Sequence, residues 1–123
     1  MLTETPKVRL DQSSIDMLKK LTTPKRPNFF SDRVKDFETS FRENIELVEK
    51  SLNESNFEQV KFFAHKYKTA AGVMGATSIS NYCHKVEELV KKKPEGYQRE
   101  VRLMLRNIVE ESKATIVELN SLI

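Results

Sequence analysis

The chain contains two histidines, and the neighbours of one of them, His65, suit phosphoryl chemistry. An imidazole has an ordinary pKa of about 6.5, so around neutral pH much of it is unprotonated and a ring nitrogen can attack phosphorus. Lys68 follows three residues later, where its ammonium group can stabilise charge on phosphoryl oxygens. We therefore predict that His65 is a phosphoacceptor. On spacing alone, Lys68 fits an ordinary solvated lysine as well as it fits a contact with the phosphoryl group.

The sequence shows no other kind of reactive site. It has no glycine-rich phosphate loop, so ATP binding of the P-loop type is not expected. No second histidine or cysteine stands at metal-ligand spacing, so we predict neither a metal site nor a bound cofactor in this chain. His84 is interpreted as an ordinary surface residue and Cys83 as a core residue. A single nucleophile without a pocket needs a partner that brings the remaining catalytic groups.

The stretch from residue 57 to residue 76 reads as one helix, and its apolar residues indicate how the helix is rotated. Each residue turns a helix by ~100°, which places His65 about 140° from the core face, toward solvent. The outer stripe around His65 carries one aromatic and several small residues instead of long polar side chains. We interpret this stripe, with Lys61 beside it, as a docking surface for a partner. The outer stripe consists of Phe62, Thr69, Gly72 and Ala76. The predicted core face consists of Phe57, Val60, Ala64, Tyr67, Ala71 and Met74.

Start and stop signals bound this helix. Ser55 and Glu58 have the spacing of a capping box, which predicts the start of the helix. Gly75 suits a left-handed cap at its end, because glycine adopts positive φ at little cost. Thr77 or Ser78 is then expected to cap the next helix.

Further segments repeat apolar residues at helical spacing. One runs from about residue 29 to residue 52, another ends at the lysine run 91–93, and a last one extends from Tyr97 to the C-terminus. A short helix capped by Asp11 or Ser13 precedes them, with Ile15, Leu18 and Leu21 on one face. We predict an all-α fold, an antiparallel up-down four-helix bundle with a short extra N-terminal helix. Residues 1–10 are predicted to be a loose lead-in, and residues 11–123 to form the bundle domain.

Length and composition fit one soluble domain. The chain has 123 residues, of which 38% are hydrophobic and 32% are charged, so it can bury one core. No apolar run approaches the ~20 residues that span a bilayer, and no signal peptide is recognised. The single cysteine fits a reducing compartment, so we expect a cytoplasmic location. A net charge of +3 is too small for a typical nucleic-acid binder but favours an acidic partner surface.

The motif around His65 resembles that of the histidine-containing phosphotransfer (HPt) domain. The family pattern is Ala-His-x-Leu-Lys-Gly, then about five mostly small residues, then Gly-Ala, in a four-helix bundle. The matching residues are Ala64, His65, Lys68, Gly75 and Ala76. The segment from Cys83 through 86–89 also resembles the family's next helix, and the helix order covers the chain from about Asp11 onward.

The resemblance implies that His65 receives a phosphoryl group from the aspartate of a receiver domain and passes it to another. Receiver domains, a hybrid sensor histidine kinase or both would be the partners of a monomeric protein. They would supply Mg²⁺ and an acidic pocket, which Lys61, Lys66 and Lys68 would face. The resemblance also implies that Lys68 stabilises the phosphoryl group on His65. Tyr67 replaces the usual leucine and is a core substitution. Thr69 replaces the usual glycine, which would slow transfer, change partner choice or add a hydrogen bond to a phosphoryl oxygen.

Two other functions remain as alternatives. One is a non-catalytic adaptor that binds a receiver or another acidic partner through the same face, with Thr69 marking the loss of transfer. The other is a helical nucleic-acid module, which the modest charge disfavours. A complete histidine kinase is disfavoured because 123 residues leave no room for an ATP-binding domain beside the bundle. The chain is expected to be either a free-standing protein, as its starting methionine suggests, or a domain of a larger kinase.

Overall fold

A computed structural model describes residues 9–123, and its regular elements there are helices apart from one isolated bridge between Thr23 and Arg26. In chain order these are α1 (Gln12–Lys20), α2 (Phe29–Asn53), α3 (Phe57–Val73), α4 (Thr77–Lys92) and α5 (Tyr97–Ser121). One short helix and four long ones confirm the predicted all-α fold.

Helices α2 to α5 form a closed ring around one core. Each packs against the next along the chain, and α5 returns to pack against α2, while α1 packs against α2. The short connections make successive helices antiparallel neighbours, which confirms the four-helix bundle. Every helix contributes fully or almost fully buried apolar residues, among them Ile15, Val34, Val60, Ile79, Val86, Val101 and Leu119.

A polar contact crosses this core. The hydroxyl groups of Tyr67 on α3 and Ser112 on α5 lie 2.8 Å apart, and both side chains are buried. The Tyr67 ring stacks on Phe37 of α2 with 5.6 Å between ring centroids. Burial raises the pKa of the Tyr67 hydroxyl, so the group stays neutral and hydrogen-bonded. The tyrosine therefore ties α3 to both α2 and α5, which a leucine could do only by packing.

The start of α3 differs from the prediction by one residue. Asn56, not Ser55, is the N-cap, and its side chain accepts a hydrogen bond from the backbone N–H of Gln59 at 3.1 Å. Ser55 has φ +53° and makes the turn after α2, so the capping box with Glu58 was wrong. The prediction that Thr77 or Ser78 caps the following helix was also wrong. Ala76 holds the N-cap position of α4 without a side-chain hydrogen bond, and Thr77 is already helical.

The end of α3 is the predicted left-handed glycine cap. Gly75 has φ +69°, and its N–H donates to the carbonyl of Gly72 while the N–H of Ala76 donates to the carbonyl of Ala71. These two bonds satisfy carbonyls that the helix end would otherwise leave unpaired. The chain turns sharply here, so α4 begins only four residues after α3 ends.

The N-terminal segment is fastened to this turn. The backbone N–H of Asp11 donates to the carbonyl of Gly75 at 2.7 Å, and the Asp11 side chain caps α1 as predicted. Leu10 is buried and Arg9 forms an ion pair with Glu111 of α5. The remainder of the predicted lead-in, residues 1–8, lies outside the described range. α1 ends at Lys20, so Leu21 is exposed instead of joining the buried face.

Within residues 9–123, none of the helices combines the length and apolar character that crossing a bilayer requires.

Candidate active site around His65

His65 lies at the middle of α3 on the side that faces away from the core. Its side chain is 65% exposed, while Ala64 and Tyr67 on either side of it point into the bundle. The rotation of α3 follows from its apolar residues, because Val60, Ala64, Tyr67 and Ala71 must all be buried at once. A partner can therefore reach the imidazole without any rearrangement of the helix.

His65 contacts Glu87 on α4, a residue that was not among the predicted site residues. Its Oε2 lies 2.7 Å from His65 Nδ1, and its Oε1 lies 2.5 Å from the Nζ of Lys68. The Lys68 contact is a close ion pair, and it lowers the pKa of the Glu87 carboxyl group. One carboxylate thus contacts both residues that were predicted to handle the phosphoryl group.

The contact with Glu87 distinguishes the two ring nitrogens of His65. A carboxylate only accepts hydrogen bonds, so Nδ1 carries the proton and donates to Glu87. In the neutral ring Nε2 then keeps its lone pair, and it makes no hydrogen bond to any residue in 9–123. The arrangement follows the general rule that the partner of one imidazole nitrogen sets the role of the other. Nε2 is therefore the ring nitrogen whose lone pair is available to react.

The charges around Glu87 keep it ionised. Partial burial alone would raise the pKa of its carboxyl group, but the contacts with Lys68 and His65 outweigh burial and hold that pKa below its usual value. Only 18% of the Glu87 side chain is exposed, so solvent screens these contacts less than those of a surface pair. The ionised carboxylate therefore lies as a fixed negative charge beside Nδ1 of the imidazole.

Phe62 lies one turn before His65 and is exposed, with its ring held in place by neighbours. It meets Phe63 edge-to-face at 6.0 Å between ring centroids, and the Nζ of Lys66 lies 5.7 Å from its centre. Lys61 is 3.5 Å from Glu58 on its own helix, an exposed pair that contributes little to stability. Together these residues form a half-apolar, half-basic surface beside the imidazole.

The other residues of the predicted stripe divide into two groups. Thr69 and Gly72 are exposed, and the Thr69 hydroxyl donates to the backbone carbonyl of His65 at 3.3 Å. An added Cβ at Gly72 would meet no atom within 4 Å, so no packing in this chain requires glycine there. Ala76 was wrongly placed on the stripe, since it is fully buried. The helical projection fails for Ala76 because α3 ends at Val73 and Gly75 reverses the chain.

One cavity of the described residues lies close to α3 but is separate from His65. An apolar cavity of about 30 Å³ lies inside the bundle behind α3, lined in part by Ala64, Tyr67 and Cys83, but His65 does not line it. Within the described part of the chain, no group of three or more histidine, cysteine, aspartate or glutamate side chains is placed to hold a metal ion. His84 is exposed and makes none of the contacts described here.

Glu87 could have been found from the sequence by one signal. It stands four residues after Cys83 and three before Val90, both fully buried, so it lies at the border of the apolar face of α4. An acidic residue at such a border needs a partner, because burying an unpaired charge is costly. The sequence alone does not say that the partner is His65, since this depends on how α4 is rotated against α3.

The fold and this site define a class of protein, a helical bundle with an exposed histidine at the middle of one helix and a carboxylate behind its ring. The chain belongs to the Hpt domain family, whose model matches residues 33–115, more than half of its length. The match includes His65, Lys68 and Glu87. Membership assigns the chain to histidine phosphotransfer in two-component signalling, where Hpt domains interact with receiver domains and kinases. The resemblance noted in the sequence is thereby confirmed.

Solved structures share the fold. Histidine-containing phosphotransfer protein B from Pseudomonas aeruginosa superposes with a TM-score of 0.74 at 18% identity, covering 94% of this chain and 95% of its own. A candidate histidine-containing phosphotransfer protein from rice gives a TM-score of 0.63 at 20% identity, with 93% of this chain and 85% of its own covered. No curated protein sequence matches the chain significantly.

Proposed function

We propose that this chain relays a phosphoryl group between the aspartates of receiver domains, through a phosphohistidine at His65. The observation that carries the proposal is the state of the imidazole, which is exposed, has its Nδ1 proton held by Glu87 and leaves Nε2 free to react. The donor and acceptor are receiver domains, either separate or within a hybrid sensor histidine kinase. Membership of the Hpt family supports this assignment.

In the proposed transfer, the imidazole of His65 neither gains nor loses a proton. The Nε2 lone pair attacks the phosphorus of the aspartyl phosphate, the Nε2–P bond forms, and the O–P bond breaks to leave an aspartate carboxylate. Since Nδ1 keeps its proton, the ring becomes a phosphorylated imidazolium with Glu87 beside its positive charge. Attack by a second receiver's aspartate reverses these steps and returns the electron pair to Nε2.

The partner supplies the groups that this chain does not provide. A receiver domain brings Mg²⁺ and its acidic pocket, so the chain acts as a phosphoryl carrier and not as an ATP-dependent kinase by itself. No cofactor is bound to the chain in this proposal. The lysines Lys61, Lys66 and Lys68 face the acidic pocket and favour its approach through charge attraction. We expect the protein to work as a monomer in the cytoplasm, without binding nucleic acid or membranes.

The docking surface consists of the exposed residues around the imidazole. Phe62 supplies apolar area, with Lys66 over its ring, and Gly72 lets the partner backbone approach α3 closely. Thr69 turns its hydroxyl to the carbonyl of His65, and this orientation favours a spectator role during the chemistry over a hydrogen bond to a phosphoryl oxygen. Ala76 is left out of the surface because it is buried.

Incubation with a phosphorylated receiver domain and Mg²⁺ tests the proposal. We expect an acid-labile phosphate on the wild-type protein and none on His65→Gln, with His84→Gln as a control that keeps full labelling. Failure to label the wild type by a panel of phosphorylated receivers, or undiminished labelling of His65→Gln, would contradict the proposal. Binding of a receiver without labelling would instead support the non-catalytic adaptor.

A further inference from the structure

Two of the lysines around His65 are balanced by carboxylates of the same chain. The Nζ of Lys61 lies 3.5 Å from a carboxylate oxygen of Glu58. The Nζ of Lys68 lies 2.5 Å from Glu87. A charge that is balanced within a few ångströms attracts a distant partner only weakly, and salt screens what is left of the attraction. The attraction of an acidic partner over a longer distance must therefore come mainly from another part of the surface.

Positive charge is concentrated in residues 19–35, which join the end of α1 to the start of α2 and are called the basic segment below. The segment contains six basic residues and one acidic residue, a net charge of +5, whereas the whole chain has +3. The rest of the chain is therefore net acidic. Among the described residues, the only ion pair of the segment joins Arg33 to Asp36. The other five basic side chains are all exposed: Lys19, Lys20, Lys25, Arg26 and Lys35.

The basic segment is continuous with the docking surface on α3. Arg33, which belongs to the segment, lines a surface groove between α2 and α3 together with Ala70 and Val73 of α3. Thr69 and Gly72 of the docking surface directly precede these two α3 residues and are exposed. A partner that covers the docking surface and extends across this groove therefore reaches the basic segment.

We propose that the basic segment steers an acidic receiver domain onto this chain. It attracts carboxylates that lie on the receiver outside its phosphorylation pocket, and it thereby orients the receiver toward His65. This role rests on the proposed function, because it requires a receiver as the partner. Complementary charges act on diffusional encounter, where they raise association rates by about tenfold or more and are screened by salt. The segment therefore changes how fast the partner arrives and leaves the phosphoryl-transfer step itself unchanged.

The lysine run 91–93 offers a matched comparison at the opposite end of the bundle. Lys93 lies 3.8 Å from Glu58 in the first turn of α3, whereas the basic segment lies near the last turn. His65 is eight residues from either end of α3, or ~12 Å along the helix axis in both directions. Lys92 and Lys93 are both paired with carboxylates of this chain. We therefore expect the run to attract an acidic partner less than the basic segment does.

Rapid-mixing kinetics with a phosphorylated receiver domain of net negative charge, chosen because it labels the wild type, test the steering role. The triple variant with Lys20→Gln, Lys25→Gln and Arg26→Gln should lower kcat/KM about tenfold at low ionic strength. Raising the salt concentration to about 0.5 M should reduce the difference from wild type to less than about twofold, because salt screens the attraction. The maximal rate at saturating receiver should stay at the wild-type value.

The matched control carries Lys91→Gln, Lys92→Gln and Lys93→Gln and thus loses the same net charge. It should keep kcat/KM within about twofold of wild type at every salt concentration. An undiminished kcat/KM in the first triple variant would overturn the steering role. Equal losses in both triple variants would also overturn it, because net charge alone would then explain them.

Two further outcomes separate the steering role from other conclusions. Wild-type protein that passes phosphate to or from receivers while the triple variants behave alike leaves the proposed function standing, whereas wild-type protein that no receiver labels contradicts both. Duplex DNA and vesicles of anionic lipid are the probes for other acidic partners. If the first triple variant loses binding to either of them but keeps wild-type kinetics with receivers, the basic segment serves another partner and steering of receivers is refuted.

Discussion

Two glycines at the end of α3 should respond to the same substitution with opposite signs. Gly72 is helical and exposed, and an added Cβ would meet no atom within 4 Å. Gly75 has φ +69°, and its Cβ would lie 2.7 Å from the Cβ of Ser14 and 3.2 Å from the carbonyl oxygen of Asp11. The first glycine is thus free of internal constraint, whereas the second is required by the fold.

The expected magnitudes follow from these environments. Gly72→Ala removes the backbone-entropy cost of glycine in a helix, so we expect about 0.5–1 kcal/mol of added stability. Gly75→Ala places a side chain in the left-handed region, which costs about 1–2 kcal/mol, and forces α1 away from the turn, which costs about 1–3 kcal/mol more. The sum is a loss of about 2–5 kcal/mol.

Urea unfolding and phosphotransfer kinetics measure the two effects separately. Gly72→Ala should raise the urea midpoint at unchanged slope, yet lower kcat/KM for transfer from a receiver by about tenfold, or ~1.4 kcal/mol, because its methyl group occupies the docking surface. Gly75→Ala should lower the midpoint. A Gly72→Ala variant that is more stable and transfers at the wild-type rate would refute the reasoning that places Gly72 at the interface.

Three further predictions concern the docking surface, the core and the carboxylate. Phe62→Ala should weaken receiver binding by about tenfold while leaving the urea midpoint within error. Leu103→Ala, which removes another exposed apolar side chain, on α5, should change neither. Tyr67→Phe should lower the free energy of unfolding in urea by about 1–2 kcal/mol, because it leaves the buried Ser112 hydroxyl unpaired. The double variant with Ser112→Ala should recover part of this loss. If the second substitution recovers nothing, the hydrogen bond between the two hydroxyl groups is contradicted. The pKa of the Glu87 carboxyl group is lower in the folded than in the unfolded protein, so the ionised carboxylate stabilises the fold fully above the unfolded pKa, and this stabilisation is lost as pH falls through the folded pKa. The difference in urea midpoint between wild type and Glu87→Gln should therefore vanish in acid. A difference that stays constant from neutral to acidic pH would contradict this prediction.

The architecture was predictable because it depends on periodic patterns within each helix. The rotation of α3 follows from local spacing, and so does the cap at Gly75, where the residue type alone indicates positive φ. The error at Ser55 arose because Asn56, one position later, is an equally good cap, and only the backbone turn decides between them. The error at Ala76 arose because a helical projection was extended past the end of the helix.

The site was only half predictable. His65 and Lys68 share one helix, so their spacing placed them together. Glu87 comes from a different helix, 22 residues after His65, and its position depends on the depth and rotation at which α4 packs on α3. A contact of this kind depends on tertiary packing and not on the sequence of either helix alone. The motif around His65 does not include Glu87. It therefore predicts neither which ring nitrogen of His65 carries the proton nor that Lys68 forms an ion pair with Glu87.

The bridge between Tyr67 and Ser112 also gives the protein an optical reporter. The chain has no tryptophan and three tyrosines, and Tyr67 is the buried one, while Tyr82 and Tyr97 are partly exposed. Its ring is stacked on Phe37 and its hydroxyl is fixed, so the near-ultraviolet circular dichroism of the native protein should be dominated by this one side chain. Because the bridge joins α3 to α5, that signal reports when the ring of helices closes, whereas the far-ultraviolet signal reports helix formation alone. Comparing the two during refolding separates assembly of the bundle from the formation of its helices.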